Sequence, residues 1–375
     1  MPSTAKLTER QALLVLNALA PIGPIALGRL RAALGGDPRA ILNAVAGDLE
    51  GIDGIGPAAR RALAGWRRLF DPEREEAALA RLGGDYLVAT DAAYPELLRE
   101  IADPPTVLYR SGPYACDYPC VAVVGSRRAT HYGLGVARRL GSELVDAGFC
   151  VVSGLARGID TAAHEGALAA GGPTVAVLGT GLDIVFPPEN GGLFRRIAER
   201  GAVLTEFSIG RQGDRGTFPR RNRIVSGMAA AVIVVESDVD GGAMITARLA
   251  GEQGRTVFAV PGRIDQPTSS GCHQLIRDGA TLFTRVEDLF TDLAYLDGLR
   301  PAPIAEKAAP ITGGAALSPD EAVVLDRFSG GGALTADELA AATGISAGRL
   351  SAALMALELR PLIARRLDGT FEQTS

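Results

Sequence analysis

VAVVGSRRATHYG, residues 121–133, reads as an apolar strand, a polar loop and the start of a helix. Ser126, Arg127, Arg128 and Thr130 follow Gly125 directly. At such a turn an α/β protein presents backbone N–H groups at a helix N-terminus to a phosphate. Arginines add guanidinium groups that match phosphate oxygens. A dinucleotide fingerprint needs G-x-G-x-x-G, with an acid about 20 residues on for the ribose. Here serine and two arginines stand where close backbone approach wants glycine, so neither NAD nor FAD, nor any other cofactor, is expected.

Six further runs resemble the first: FCVVSG (149–154), TVAVLG (174–179), AVLTEF (202–207), AVIVVES (231–237), TVFAVPG (256–262) and TLFT (281–284). Runs this uniformly apolar suit strands covered on both faces. Alternation with helical stretches implies right-handed crossovers and an open, parallel, Rossmann-like α/β sheet over residues 85–295. Ligands of such sheets bind at the C-terminal strand ends.

The loops at those ends carry the candidates. The second strand is followed by SGLARGID, with Gly154, Arg157 and Asp160. The segment after the fourth, RQGDRGTFPRRNR (211–223), has five arginines against the single acid Asp214 and includes Phe218 and Asn222. The whole chain carries a net charge of −5, so bulk electrostatics do not explain polyanion binding, but this local cluster does. Arginine, aromatic and amide together suit a single strand of nucleic acid: charge for the backbone, a flat face for a base. Phe218 either stacks a base or anchors its loop.

Catalytic constellations are missing from the pattern. His131, His164 and His273 have no Cys or Ser in a nucleophile–base spacing. His164 lies one helical turn after Asp160 and reads as a histidine touching a helix cap. Asp238 and Asp240 read as a solvated turn rather than a metal site. Cys116 and Cys120 lack the second pair a zinc site requires, so the four cysteines read as intracellular thiols. No signal peptide or membrane-length apolar stretch is present, and a cytoplasmic protein without membrane contact is expected.

Flanking segments differ in character. Residues 1–80 read as helical, with Ile22-Gly23-Pro24 and Ile55-Gly56-Pro57 as echoed turns of two helix–hairpin–helix units. Residues 296–317 are rich in Pro, Ala and Gly and read as a linker. Residues 318–375 read as a winged helix: two helices about the Thr343-Gly344 turn, then a short hairpin, LIARRLDGTF. Its second helix, GISAGRLSAALMALEL, carries one arginine, which favours a protein-contact or autoregulatory role over groove reading.

Taken in order, these stretches resemble the DprA/Smf family: YPELLREIADPPTVLYRSG, VAVVGSRRATHYG, VVSGLARGIDTAAHEGAL, TVAVLGTGLDIVFPPEN, FPRRNRIVSGMA, GGAMITARLA, FAVPG and SSGCHQLIRDGA. The resemblance implies a homodimeric Rossmann-like domain that binds and protects incoming single-stranded DNA and loads RecA recombinase onto it during natural transformation, without catalytic turnover. It also implies an N-terminal sterile-alpha-motif-like domain and a C-terminal winged helix. Its phosphate pocket maps onto Ser126, Arg127, Gly154, Arg157, Phe218, Arg221, Asn222 and Arg223. Two departures stand out: Gly241-Gly242-Ala243 replaces a Ser-Gly-Ser, and Pro361 replaces a wing glycine. The same superfamily includes nucleotide phosphoribohydrolases, whose catalytic glutamate would fall on Arg248, so hydrolysis is the lesser alternative.

Overall fold

The computed structural model describes residues 7–113, 118–293, 317–328, 333–360, 362–366 and 369–373. Cys116, Pro361 and nearly all of the Pro/Ala/Gly segment at 296–317 lie outside them. Two compact units divide the chain, 1–304 and 305–375.

The first unit opens with helices α1 (Glu9–Ala18), α2 (Pro24–Leu34), α3 (Pro38–Asn43), α4 (Pro57–Leu69) and α5 (Pro72–Arg81). Thr8 and Gln11 form a capping box on α1, and proline opens each of the other four helices. The two echoed turns thus mark matching helix starts. Trp66 fills the helical core and donates from its indole to Leu42 O at 3.2 Å. This layer is not detached from the sheet: Leu14 and Leu79 share a core with Tyr86, Val107 and Val203. Asn17 donates to Glu206 O, and Ile209 N donates to Glu75.

The sheet follows as β1 (Gly84–Leu87), α6 (Glu96–Arg99), β2 (Leu108–Ser111), β3 (Cys120–Val124), α7 (His131–Asp146), β4 (Cys150–Ser153), α8 (Ile159–Ala169), β5 (Thr174–Val177), α9 (Gly191–Arg200) and β6 (Ala202–Thr205). It continues with α10 (Thr217–Met228), β7 (Ala231–Val234), α11 (Gly242–Glu252), β8 (Thr256–Ala259), α12 (Ser270–Arg277), β9 (Thr281–Leu282) and α13 (Glu287–Asp292). Strand order is β1-β2-β6-β5-β4-β3-β7-β8-β9. All seven apolar runs are strands, and β3 to β9 pair in parallel.

The sheet is not parallel throughout. β1 and β2 add an antiparallel edge, β2 pairing with β6. Their polar residues hide them from an apolar-run reading: Asp85 and Arg110 stand opposite each other and form an ion pair. The single-turn α6 between β1 and β2 does not carry the chain back across the sheet, and the chain returns antiparallel.

Period-two alternation builds the layers. Cys120, Ala122 and Val124 of β3 join one core with Ile224, Ala247 and Cys272 from α10, α11 and α12. Val121 and Val123 join the other with Leu140, Ala163 and Leu289 from α7, α8 and α13. β3 adjoins both β4 and β7. Chain order therefore reverses direction between β3 and β7, the switch point where open α/β sheets bind ligands.

The second unit contains α14 (Pro319–Asp326), β10 (Ala333–Leu334), α15 (Ala336–Thr343), α16 (Ala347–Leu359), β11 (Ile363–Arg365) and β12 (Phe371–Gln373). Gly344, in the left-handed region, ends α15 and makes the helix–turn–helix corner. On α16 the exposed large apolar side chains are Met355 and Leu359, and Arg349 is held by Asp320. This surface offers no basic stripe for a groove. Among the described residues no single helix is long and apolar enough to cross a membrane.

Candidate nucleic-acid interface

A cleft of about 640 Å³ opens at the switch point. The loop after β3 forms one wall. Ser126 N donates to Glu236 O at 2.7 Å, and Thr130 donates to the Glu236 carboxylate from both its backbone N–H and its hydroxyl, at 2.9 and 2.5 Å. Thr130 also caps α7, accepting from Gly133 N. Glu236, buried at the end of β7, thereby pins both ends of the loop that presents Arg127 and Arg128. Both arginines are exposed, and no carboxylate among the described residues pairs with either.

Arg221 and Gly154 form the floor. Arg221 is 4% exposed and donates from Nη1 to Gly154 O at 2.5 Å and to Val177 O. It thus ties the ends of β4 and β5 together. A Cβ on Gly154 would stand 2.4 Å from Arg221 Nη2, so only glycine permits this approach. Burial, offset by Asp160, lowers the Arg221 guanidinium to about 10, which leaves it charged at neutral pH. Among the described residues nothing accepts from its Nη2. Asp160 is buried and accepts from Gly154 N and Ala156 N at 3.0 and 3.3 Å. Burial pushes its carboxyl above the ordinary value.

The FPRRNR stretch is helical rather than a continuous loop. Asp214 accepts from Gly216 N and Thr217 N and sets the start of α10. About 100° per residue then scatters the consecutive arginines. Arg221 points to the floor, and Asn222 lines the cleft and reaches Gly242 O at 3.5 Å. Arg220 turns to Glu206 at 2.8 Å and lies over the Phe207 ring. Arg223 faces away from the cleft: its side chain is 6% exposed and is held by Asp103 and Glu206, each at 2.8 Å. Arg157 is also outside the cleft lining, neutralised by Glu189 at the surface.

Six of the eight sequence candidates therefore converge on one cleft: Ser126, Arg127, Gly154, Phe218, Arg221 and Asn222. The structure adds Arg128, Arg215 and Phe186 to its lining. Arg128 and Arg215 were visible as charge beside the chosen residues. Phe186, within GTGLDIVFPPEN, gave no signal, because its proximity to Phe218 exists only in three dimensions. A larger depression of about 850 Å³ lies between α11, α12, β8 and β9. It contains none of the candidates, and it adjoins the cleft at Gly241 and Ile245.

His164 does not contact the Asp160 carboxylate. Its Nδ1 meets Thr174 Oγ1 at 2.7 Å, and Thr174 in turn donates to Val151 O. Burial, followed by Arg221, lowers the imidazole from 6.5 to about 3. Between those values the unfolded chain binds a proton that the folded chain refuses, so stability falls as pH drops from 6.5 towards about 3. A His164→Leu variant is expected to lose less stability than wild type between about pH 7 and about pH 4.5, measured by urea unfolding. Equal losses in both proteins would refute this. Cys120, Cys150 and Cys272 are buried, and no metal-holding cluster occurs among the described residues. Arg248, at the position that would carry a phosphoribohydrolase glutamate, pairs with Glu252 on α11.

A switch-point cleft rimmed by arginines, on a chain that also carries a winged helix, defines a Rossmann-like α/β protein with a basic cleft at its sheet edge. The chain belongs to the DNA recombination-mediator protein A family, whose model matches residues 85–294, and a DprA winged helix domain matches residues 306–369. Protein Smf of Synechocystis is 38% identical over 252 residues, covering 65% of this chain and 63% of that protein. DNA processing protein A of Streptococcus pneumoniae superposes with a TM-score of 0.66 at 34% identity, over 76% of this chain and 98% of that one. The Helicobacter pylori protein, described for its single-stranded DNA binding mode, superposes at 0.51 and 30% identity, over 56% and 96%.

Proposed function

We propose that the cleft holds the phosphodiester backbone of single-stranded DNA, and that the chain protects such strands and delivers them for recombination during transformation. Arg127, Arg128 and Arg215 neutralise phosphates from the rim, while Arg221 Nη2 and the Ser126 hydroxyl donate hydrogen bonds from within. The observation that carries this reading is the set of rim arginines at the switch point that have no carboxylate partner among the described residues. The Helicobacter relative's strand-binding mode supports it. Action as a homodimer and hand-over to RecA rest on the family resemblance and are part of the same proposal.

Neutralising three or four phosphates predicts that log K falls against log salt with a slope of about −2 to −3, at roughly 0.7 per phosphate. Fluorescence anisotropy of a labelled dT oligomer, with the matching duplex as competitor, measures this. A slope near zero, or displacement by mononucleotide at modest concentration, would instead favour a small-nucleotide site of the phosphoribohydrolase kind.

A further inference from the structure

Two aromatic rings and a guanidinium are layered at the cleft. Phe218 lies against Phe186 with centroids 5.2 Å apart and planes tilted by 42°, and Arg127 covers Phe218 at 5.7 Å. Phe218 is also wedged under backbone: a Cβ on Gly179 or Gly213 would come within 2.7 or 2.8 Å of its ring. Phe218 is therefore the anchor of the two, half-buried beneath its neighbours. Phe186 is the more exposed ring, 43% exposed at the cleft wall.

Single exposed apolar residues are common on protein surfaces and need no function. Phe186 differs in how it is held. Its loop is fastened internally by Thr180 Oγ1 donating to Ile184 O at 2.7 Å. It is fastened to the 208–211 turn by Gly181 N donating to Arg211 O and by Gly210 N donating to Asp183. Beyond the phenylalanine, Asn190 donates to Leu155 O at 2.9 Å. The loop that carries the exposed ring is thus held before any ligand arrives, and little loop-ordering entropy remains to be lost on stacking.

Resting on the reading of the cleft as a strand site, we propose that Phe186 is a nucleobase-stacking subsite, the base lying on its outer face while Arg127 holds an adjoining phosphate. Every base has a π-face, so this subsite tolerates all sequences but requires a base. The backbone contacts through Arg127, Arg128 and Arg215 do not require one. Base and backbone contributions are therefore separable by ligand as well as by mutation.

The test compares full-length wild type, Phe186→Ala, Phe186→Leu and Phe186→Tyr on two labelled probes of equal length: a dT oligomer and an abasic tetrahydrofuran oligomer. Phe186→Ala and Phe186→Leu are expected to bind dT about 10-fold more weakly than wild type, with Phe186→Tyr restoring affinity. On the abasic probe all four proteins are expected to bind alike, and the salt slope on dT is expected to stay unchanged. Leucine keeps apolar bulk in the loop, so its loss of dT affinity reports the missing flat face rather than collapse. Equal weakening on both probes, or no weakening on either, overturns the subsite while leaving the strand-binding reading intact. Wild type that binds neither probe overturns both.

Discussion

Arg127→Ala is expected to weaken binding of a dT oligomer about 10- to 100-fold and to reduce the salt slope by about 0.7. The magnitude follows from one charge-assisted hydrogen bond to phosphate, worth about 1.5–3 kcal/mol. Arg127 stands on the loop after β3, immediately at the switch point, exposed and without a carboxylate partner among the described residues. Its only described packing is over the Phe218 ring, so the fold loses little with it. Melting temperature is expected to stay near wild type, which separates a binding defect from unfolding. Arg157→Ala is the matched control: Glu189 already holds that guanidinium, and the residue lies outside the cleft lining. Arg157→Ala should therefore change affinity far less. If the two variants behaved alike, the cleft would not be where the strand is held.

Arg223→Ala is expected to lower stability by about 3–5 kcal/mol while leaving the salt slope unaltered. The Arg223 side chain is 6% exposed and its partner carboxylate, Glu206, is 1% exposed. Removing one member of a buried pair strands the other in a medium that solvates charge poorly. Arg220 continues to bind Glu206, but from a half-exposed position, and cannot replace a buried guanidinium. In a chain of this size such a loss corresponds to a fall in melting temperature of roughly 10 °C. Thermal unfolding followed by circular dichroism measures it, with dT affinity determined well below the transition. A variant as stable as wild type that no longer binds dT would make Arg223 a phosphate ligand, against its placement here.

The contrast between Arg127 and Arg223 shows how far one-dimensional reading reaches. Both were legible as charge beside a predicted strand end. Arg127 follows β3 in a loop, and position along the chain sufficed to put it at the ligand edge. Arg223 lies in α10, where helical rotation turns it beneath the helix towards Glu206 and Asp103. Glu206 and Asp103 are distant in sequence, so no local pattern announces that they consume this arginine. Arg157 gives no local sign of its ion pair for a similar reason: Glu189, its partner, belongs to the next crossover.

The antiparallel edge strands were missed on other grounds. β1, at the sheet edge, and β2 beside it carry Asp85 and Arg110, which pair across the two strands with Asp85 in water. The central parallel strands have no such freedom: every residue of β3, β4 and β7 is buried, and each announced itself as an apolar run.

The amino-acid sequence by itself determined the seven parallel strands, the open parallel core, the glycine–proline helix starts and the arginine-bearing loop after β3 at the sheet's C-terminal edge. These depend on short-range periodicity and turn chemistry, which adjacent residues carry. Only the tertiary structure decided which arginines lack a carboxylate partner among the described residues and which are spent on buried carboxylates, that Phe186 is more exposed than Phe218, and that Glu236 holds the arginine loop from β7. Those outcomes depend on which side chains meet across the sheet and its crossovers, and the free energy of a charge or a ring is set by what surrounds it there.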